Sequence, residues 1–484
     1  MGNSKEDINT IARFIQDFGF YTVAEFVPAA LGLVALVFYT RVFDTAAYGQ
    51  YSLTIVFVTV LSTGLFGWLE QAVLRFESTS EEIVPTAILT LCLISAIGIA
   101  IGTISFVLLG DHLGQYRIFY MAAVVATVST GSFRVFKSIF QSQLKSKQVS
   151  IYSLIRAVLK LSVGISLSVF VFDSIVGWVW GAAIGSAVGV LSMFVRLNIY
   201  QVSFDKNTVR QLLWYGVPMI GWLFGLTLLT FADRILIEML SSTSEVGIYS
   251  SNYMLVQTGL PLVLSPIIQT LHPIIMNEWD ENSHKKAESL ISEYSRYYII
   301  LGTCATIFAA IISRPLSTLV LGNSFHSGFV IIPIIALSLF FWNFSMIGHK
   351  GLELYEATGI MTCGVGFAVV TNIFLNFLLI PPYSYIGAAF ATLLSSAVYV
   401  IFAYLMSWKT VRWTIPRETL VHVSVAGCGM AITGLFGYAI DMTLPLLVFD
   451  GIIGILVYFL TLFAFGEFRS GEVVWMRKVI NTII

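Results

Sequence analysis

Apolar runs of 18 or more residues recur along this chain from its first twentieth to its last, and a run of that length reads as a helix that crosses a bilayer. One soluble core cannot absorb them all, because hydrophobic cores stop growing at about 250–300 residues and this chain has 484. Charged residues make up 11% of the chain, against about 25% in a soluble domain. The expected class is all-α, a polytopic membrane protein with about 14 transmembrane helices joined by short loops. The longest connection, Asn277 to Ser292, is charged and reads as a surface helix.

The 26 Lys and Arg residues set the orientation. With a cytoplasmic N-terminus, the outward loops keep only Arg41, Arg117 and Arg314, while Arg156, Lys160 and Arg234 fall inside spans; the others lie on the cytoplasmic side. The expected location is the cell (inner) membrane, multi-pass, with both termini cytoplasmic. Cys92, Cys304, Cys363 and Cys428 all sit in apolar runs without metal-ligand spacing, which points to free, packed thiols. No cleavable signal peptide is expected, since the first apolar run is of full spanning length. Met1-Gly2 does not make a myristoylation signal, because Glu6 stands where Ser or Thr is needed.

The stretch Leu212 to Gln257 has an earlier counterpart. Its second apolar segment opens Val246-Gly247-Ile248-Tyr249-Ser250, and the chain earlier reads Tyr48-Gly49-Gln50-Tyr51-Ser52, 198 residues before. Gly181-Ala182-Ala183 and Gly387-Ala388-Ala389 form a second matched pair at an offset of 206. A shift of about six helices preserves membrane orientation, so the halves are expected to be parallel repeats with a substrate site between them near the midplane. The organisation expected is an N-terminal lobe of helices 1–6 (1–200), a C-terminal lobe of helices 7–12 (211–408), and two appended helices with a cytoplasmic tail (418–484).

The segment Arg41-Val-Phe-Asp-Thr-Ala-Ala-Tyr-Gly-Gln-Tyr-Ser52, the pair Asp233-Arg234 followed by Glu245-Val-Gly-Ile-Tyr-Ser250, and Asn372-Ile-Phe-Leu-Asn376-Phe-Leu-Leu-Ile-Pro381 with Ile386-Gly-Ala-Ala389 carry a resemblance. The chain resembles the polysaccharide-transport family, the lipid-linked oligosaccharide (O-antigen-type) flippases. That family belongs to the superfamily that also holds the MATE drug exporters and the peptidoglycan-precursor flippases. Phe43-Asp44 and Trp68-Leu69-Glu70 depart from its usual pattern. The resemblance implies a two-lobed, twelve-helix core with two extra helices. It also implies a lipid-linked oligosaccharide of undecaprenyl-pyrophosphate type, moved from the cytoplasmic to the outer leaflet during polysaccharide biosynthesis (lipopolysaccharide or a related glycan). A MATE-like, cation-coupled exporter of small molecules is the alternative.

A flippase breaks no bond, and no Gly-rich phosphate loop, nucleophile elbow or metal-ligand cluster is present, so no enzyme activity, cofactor or metal is expected. Arginine binds phosphate through a two-pronged fork, and basic residues at membrane depth suit a pyrophosphate. Arg134, Lys160 and Arg234 are the candidate contacts; Lys137 and Arg156 have the further reading of side chains that snorkel to headgroups. Asn372 and Asn376 form one polar stripe, either facing the glycan or bonding helix to helix. Glu25, Glu70 and Asp233 are candidates for ion coupling (H+ or Na+) or gating, with structural ion pairing as the other reading, and Glu70 and Arg75 could pair at one end of the second span. Asp233 and Arg234 point about 100° apart on a helix, so one of them could instead lock helices together. Asp450 reads as a packing contact or a docking point for a partner, and Pro218, Pro261, Pro266 and Pro273 as bending points. The expected partners are the lipid-linked substrate, membrane lipids and a polysaccharide polymerase, with no nucleic acid.

Overall fold

A backbone in hydrocarbon must satisfy every N–H and C=O internally, which leaves helices as the simple solution for apolar runs of this length. The computed structural model describes residues 3–79, 83–197, 204–281, 283–439 and 444–474, with side chains described from Thr22 onward except at residue 280 and residues 437–448; the described residues hold helices and no strand. The helices are α1 (Asn3–Val42), α2 (Thr45–Phe76), α3 (Ile83–Leu109), α4 (Arg117–Ser142), α5 (Ser146–Phe170), α6 (Val176–Arg196), α7 (Lys206–Leu240), α8 (Thr243–Asp280), α9 (His284–Ile311), the short α10 (Ser313–Val320), α11 (Ile331–Gly348), the short α12 (Lys350–Leu354), α13 (Thr358–Ser407), α14 (Arg417–Ala439) and α15 (Leu444–Ala464). Eleven described helices are individually long and apolar enough to cross a membrane, and α9 with α10 makes a twelfth as a bent pair.

α13 is two crossings. Its 50 residues would stretch about 75 Å as a straight helix, far beyond a hydrocarbon core of about 30 Å. The chain breaks after Pro381-Pro382 at Ser384, whose φ of 53° and ψ of −138° are not helical. Gly387 makes the return possible: a Cβ there would lie 2.1 Å from the Leu379 carbonyl oxygen. With α13 counted as two limbs and α15 included, the fold has the fourteen crossings read from the sequence.

Local chemistry explains several boundaries. Asp44, a departure from the family pattern, is the N-cap of α2 and accepts from the Ala47 N–H at 2.8 Å. Asp205 caps α7 by accepting from the N–H groups of Asn207 and Thr208. Pro218 stays inside α7, and Pro261, Pro266 and Pro273 stay inside α8, so neither helix is interrupted. The charged Asn277–Ser292 stretch is no separate surface helix: α8 runs to Asp280 and α9 starts at His284. These residues are good helix formers, so each spanning helix continues past its apolar run.

The chain forms two compact units, residues 1–250 and 251–484. In the first, α2, α4 and α6 surround a core that includes Phe66, Leu69, Phe133, Phe136 and Phe140. α7, expected as the first helix of the C-terminal lobe, packs along α2. α3 leaves Leu93, Ile101, Ile104 and Val107 exposed, as a lipid-facing helix does. In the second unit α11 packs on α9 and α13, while α14 and α15 pack on each other and on α9. All four cysteines are free, with Cys304 buried.

The matched motifs meet each other in the first unit. A Cβ on Gly49 would lie 2.0 Å from the Thr243 carbonyl oxygen, and one on Gly247 would lie 2.0 Å from that of Thr45. Ser52 Oγ donates to Ser250 Oγ at 2.7 Å across 198 residues of sequence. Each copy thus meets its counterpart in one register, and both glycines are required for the approach. Gly247→Ala is expected to cost about 1–3 kcal/mol by overpacking, read as a lower thermal midpoint of the reconstituted protein; an unchanged midpoint would show that the crossing is loose.

Candidate functional site: a ladder of cations in the first unit

Small residues at four-residue spacing let transmembrane helices approach closely. Gly181 and Gly185 do this for α6 against α5. A Cβ on Gly181 would lie 2.5 Å from the Gly164 Cα and 2.6 Å from the Lys160 carbonyl oxygen, and one on Gly185 would lie 2.7 Å from that of Arg156. The approach fixes two basic side chains. Arg156 Nε donates to Ser186 Oγ at 3.0 Å, and its guanidinium lies 4.7 Å from the Phe133 ring centroid. The Lys160 ammonium lies 5.5 Å from the ring of Trp178, which is stacked between Tyr39 and Tyr51 at 4.1 Å on each side. No carboxylate pairs with Lys160 among the described residues.

α4 adds two more bases. Arg134 Nη2 forms an ion pair with Glu70 Oε2 at 2.6 Å, and its Nη1 donates to Thr63 Oγ1 at 3.1 Å. Glu70 is thus partnered across helices by Arg134, rather than along α2 by Arg75. Lys137 lies within electrostatic reach of Glu25, Arg156, Glu70 and Arg134, and Lys160 within reach of Arg156. Glu25 on α1 is exposed.

The four bases climb. Counted from the α4–α5 turn at 1.5 Å per residue, Lys137 is about 8 Å in, Arg134 about 12 Å, Arg156 about 15 Å and Lys160 about 21 Å. With Glu25 and Glu70 the group carries a net charge of +2. A central arginine or lysine costs about 2.5–3.5 kcal/mol on insertion scales, so four basic residues on neighbouring helices make this group the candidate site. Arg156, equally readable as a snorkelling side chain, belongs to this group. The small-residue spacing in Gly181-Ala-Ala-Ile-Gly185-Ser186 is the signal that could have placed it.

The remaining candidates lie elsewhere. Asp233 and Arg234 are buried, and Tyr249 donates to Asp233 Oδ2 at 2.7 Å. Arg234 donates to the Thr230 carbonyl oxygen and lies over the rings of Phe231 and Tyr249. This arrangement clamps α7 to the first turns of α8 beside the glycine crossing, and Arg234 lies within electrostatic reach of Tyr48, whose ring packs against Trp178. Asn372 and Asn376 are fully buried. Asn376 Nδ2 donates to the Asn372 side-chain and backbone oxygens, and Asn372 Nδ2 to Ser395 Oγ at 3.4 Å on the other limb of α13. They take the helix-to-helix role, and neither faces open space. Asp450 on α15 is buried.

A groove of about 1110 Å³ runs between α2, α3, α4 and α7. Its walls are apolar, with Phe57, Leu61, Ile97, Ile101 and Val217 among them, and Tyr116 and Glu238 at one end, where the Tyr116 hydroxyl donates to Glu238 Oε1 at 2.7 Å.

Fourteen crossings, with a basic ladder and an apolar groove in the first unit, describe a polytopic membrane protein. The fold is shared with a lipid flippase and with MATE exporters. It aligns with the inward closed lipid II flippase MurJ at a TM-score of 0.76 and 15% identity, covering 95% of this chain and 99% of that one. An inward-facing MATE family multidrug resistance transporter aligns at 0.59, covering 81% and 97% at 15% identity. Residues 14–279 match the family described as polysaccharide biosynthesis protein, and the chain belongs to that family. Two relatives from Haloferax volcanii share this length. A probable low-salt glycan biosynthesis flippase, Agl15, is 23% identical over 405 residues, 81% of this chain and 83% of the relative. A probable flippase, AglR, is 24% identical over 413 residues, 83% and 85%.

Proposed function

We propose that this protein moves a lipid-linked oligosaccharide of polyprenyl-pyrophosphate type across the cytoplasmic membrane by alternating access, with both termini cytoplasmic. The observation that carries this reading is the ladder Lys137, Arg134, Arg156, Lys160. Its net charge has the sign and size that a doubly ionised pyrophosphate diester needs. Successive rungs pass the anion from the α4–α5 end toward the middle of the membrane. Arg134 is tempered by Glu70, so release competes with binding at that rung, whereas Lys160 has no such competitor and holds the deepest position. The groove beside α3 keeps the isoprenoid tail in an apolar setting while the headgroup travels. An exporter of small organic cations would meet repulsion from the same ladder, although the MATE exporters share the fold.

The test is reconstitution in vesicles with a fluorescent polyprenyl-pyrophosphate oligosaccharide and, separately, a fluorescent organic cation. Movement of the lipid-linked glycan but not of the cation is expected; the reverse result would overturn the reading. Gly64 lines the groove, and a Cβ there meets nothing within 4 Å. Gly64→Phe therefore fills the groove without a clash and is expected to slow glycan flipping about tenfold, which corresponds to about 1.4 kcal/mol. An unaltered rate would remove the groove from the path.

A further inference from the structure

The second unit contains a partly buried polar network that the ladder does not use. Lys350 Nζ, which can only donate, reaches His272 Nδ1 at 3.1 Å and Glu353 Oε2 at 2.5 Å. His349 Nε2 reaches Glu353 Oε1 at 2.9 Å, and the Tyr399 hydroxyl is 3.4 Å from His349 Nδ1. The members come from α8 (His272), the α11–α12 junction (His349), α12 (Lys350, Glu353) and the second limb of α13 (Tyr399). His349 and Lys350 act electrostatically on Glu353, and Glu353 acts on Tyr399.

One arrangement of protons satisfies every contact but that of His272 Nδ1 with Glu353 Oε2, 3.3 Å apart, which then face each other as two acceptors. Lys350 donates to both His272 Nδ1 and Glu353, His349 donates to Glu353 through Nε2, and Tyr399 donates to His349 Nδ1. Both histidines are then neutral, and the charges of Lys350 and Glu353 cancel. The two histidines differ in access: the side chain of His349 is 4% exposed and that of His272 is 51% exposed. A proton arriving from outside the network therefore enters at His272.

We propose that His272, Lys350 and Glu353 form a proton-binding site that couples proton uptake to movement of α8. Protonation of His272 Nδ1 turns an acceptor into a donor that faces the Lys350 ammonium. The Lys350–His272 contact breaks, and the new Nδ1–H donates instead to Glu353 Oε2, 3.3 Å away, beside the ammonium that also donates there. His272 immediately precedes Pro273, and α8 also contains Pro261 and Pro266. Each proline removes a backbone hydrogen bond and weakens the helix against bending. The exchange of partners at His272, with the Lys350 ammonium now repelling it, is thereby converted into displacement of the α8 end that follows His272. Of the coupling candidates read from the sequence, Glu70 pairs with Arg134, Asp233 accepts from Tyr249, and Glu25 on α1 is exposed.

The coupling role rests on the flippase reading, but the switch itself can be read without substrate. Hydrogen–deuterium exchange of the peptide covering residues 262–279, in nanodiscs and corrected for intrinsic rates, is compared at pH 8 and pH 5.5. At least a fivefold loss of protection at pH 5.5 is expected in the wild type, and none in His272→Gln. Lys350→Met removes the opposing charge and is expected to abolish the response as well, while His349→Gln is expected to keep it. Exchange that ignores pH in the wild type, or that responds equally in His272→Gln, overturns the proposal. In vesicles, an imposed pH gradient at zero membrane potential is expected to raise glycan flipping in the wild type but not in His272→Gln. A pH-dependent α8 in a protein that moves no lipid-linked glycan would sink the flippase reading and leave the proton switch standing.

Discussion

Lys160→Ala is expected to slow flipping of a lipid-linked oligosaccharide about 100-fold while leaving the protein folded. Lys160 has no carboxylate partner among the described residues, so its removal strands no opposite charge. The loss corresponds to about 2.8 kcal/mol of binding to the moving headgroup at about 1.4 kcal/mol per power of ten. Lys160→Arg retains the charge over Trp178 and is expected to recover most of the rate. Arg134→Ala makes a poorer probe, because it strands Glu70 in the membrane and mixes destabilisation with loss of function. Initial rates in vesicles, paired with the thermal midpoint of each variant, separate these effects. A Lys160→Ala protein that flips at the wild-type rate would remove the deepest rung and with it the ladder as a path.

The second large effect concerns stability. Arg296 on α9 is 3% exposed, and its guanidinium pairs with Glu467 at 2.7 Å and with Glu472 at 2.7 Å; it also donates to the Glu467 backbone oxygen. Glu467 accepts in addition from Thr419 and contacts His422, both on α14. One arginine thus ties α9 to α14 and to the segment after α15. Arg296→Ala is expected to cost about 3–5 kcal/mol, because it leaves a buried carboxylate without its cation, and a drop in the thermal midpoint checks it. An undiminished midpoint would mean that water reaches Glu467 freely. Burial opposes ionisation of Glu472, but hydrogen bonds from Arg296, the Arg469 N–H and Tyr297 outweigh it and hold the carboxyl at about 2. The same balance depresses Glu467. An unfolded glutamate titrates near about 4.3. The stabilisation from this pair is therefore complete above that value and lost as pH falls from there toward about 2. The wild type is expected to lose thermal stability across that window, and Arg296→Ala to show a flatter profile.

The crossings were legible because hydropathy over 18 or more residues reports a single physical fact, the thickness of hydrocarbon. The same signal says nothing about where a helix ends once it has left the membrane, which is why the Asn277–Ser292 stretch read as a separate element. Arg134 and Lys160 stood out as charges in apolar runs. The partners that give them a role did not, since Glu70 and Arg134 are joined only by the packing of α2 against α4. Arg234 met the same sequence criterion but lies buried over Phe231 and Tyr249, because depth along a helix does not specify which face is covered. His272, His349 and Glu353 drew no attention in the sequence; their chemistry arises only where α8, α12 and α13 converge.

The glycine crossing has one more consequence. Gly49 meets Thr243, Gly247 meets Thr45, and Ser52 meets Ser250, which is the reciprocity of an isologous interface, in which residue i touches j and the copy of j touches the copy of i. Two separate polypeptides could make this contact without a covalent link. At this seam the chain thus pairs with itself as two copies of one motif would, so that a substitution at one glycine has its mirror at the other.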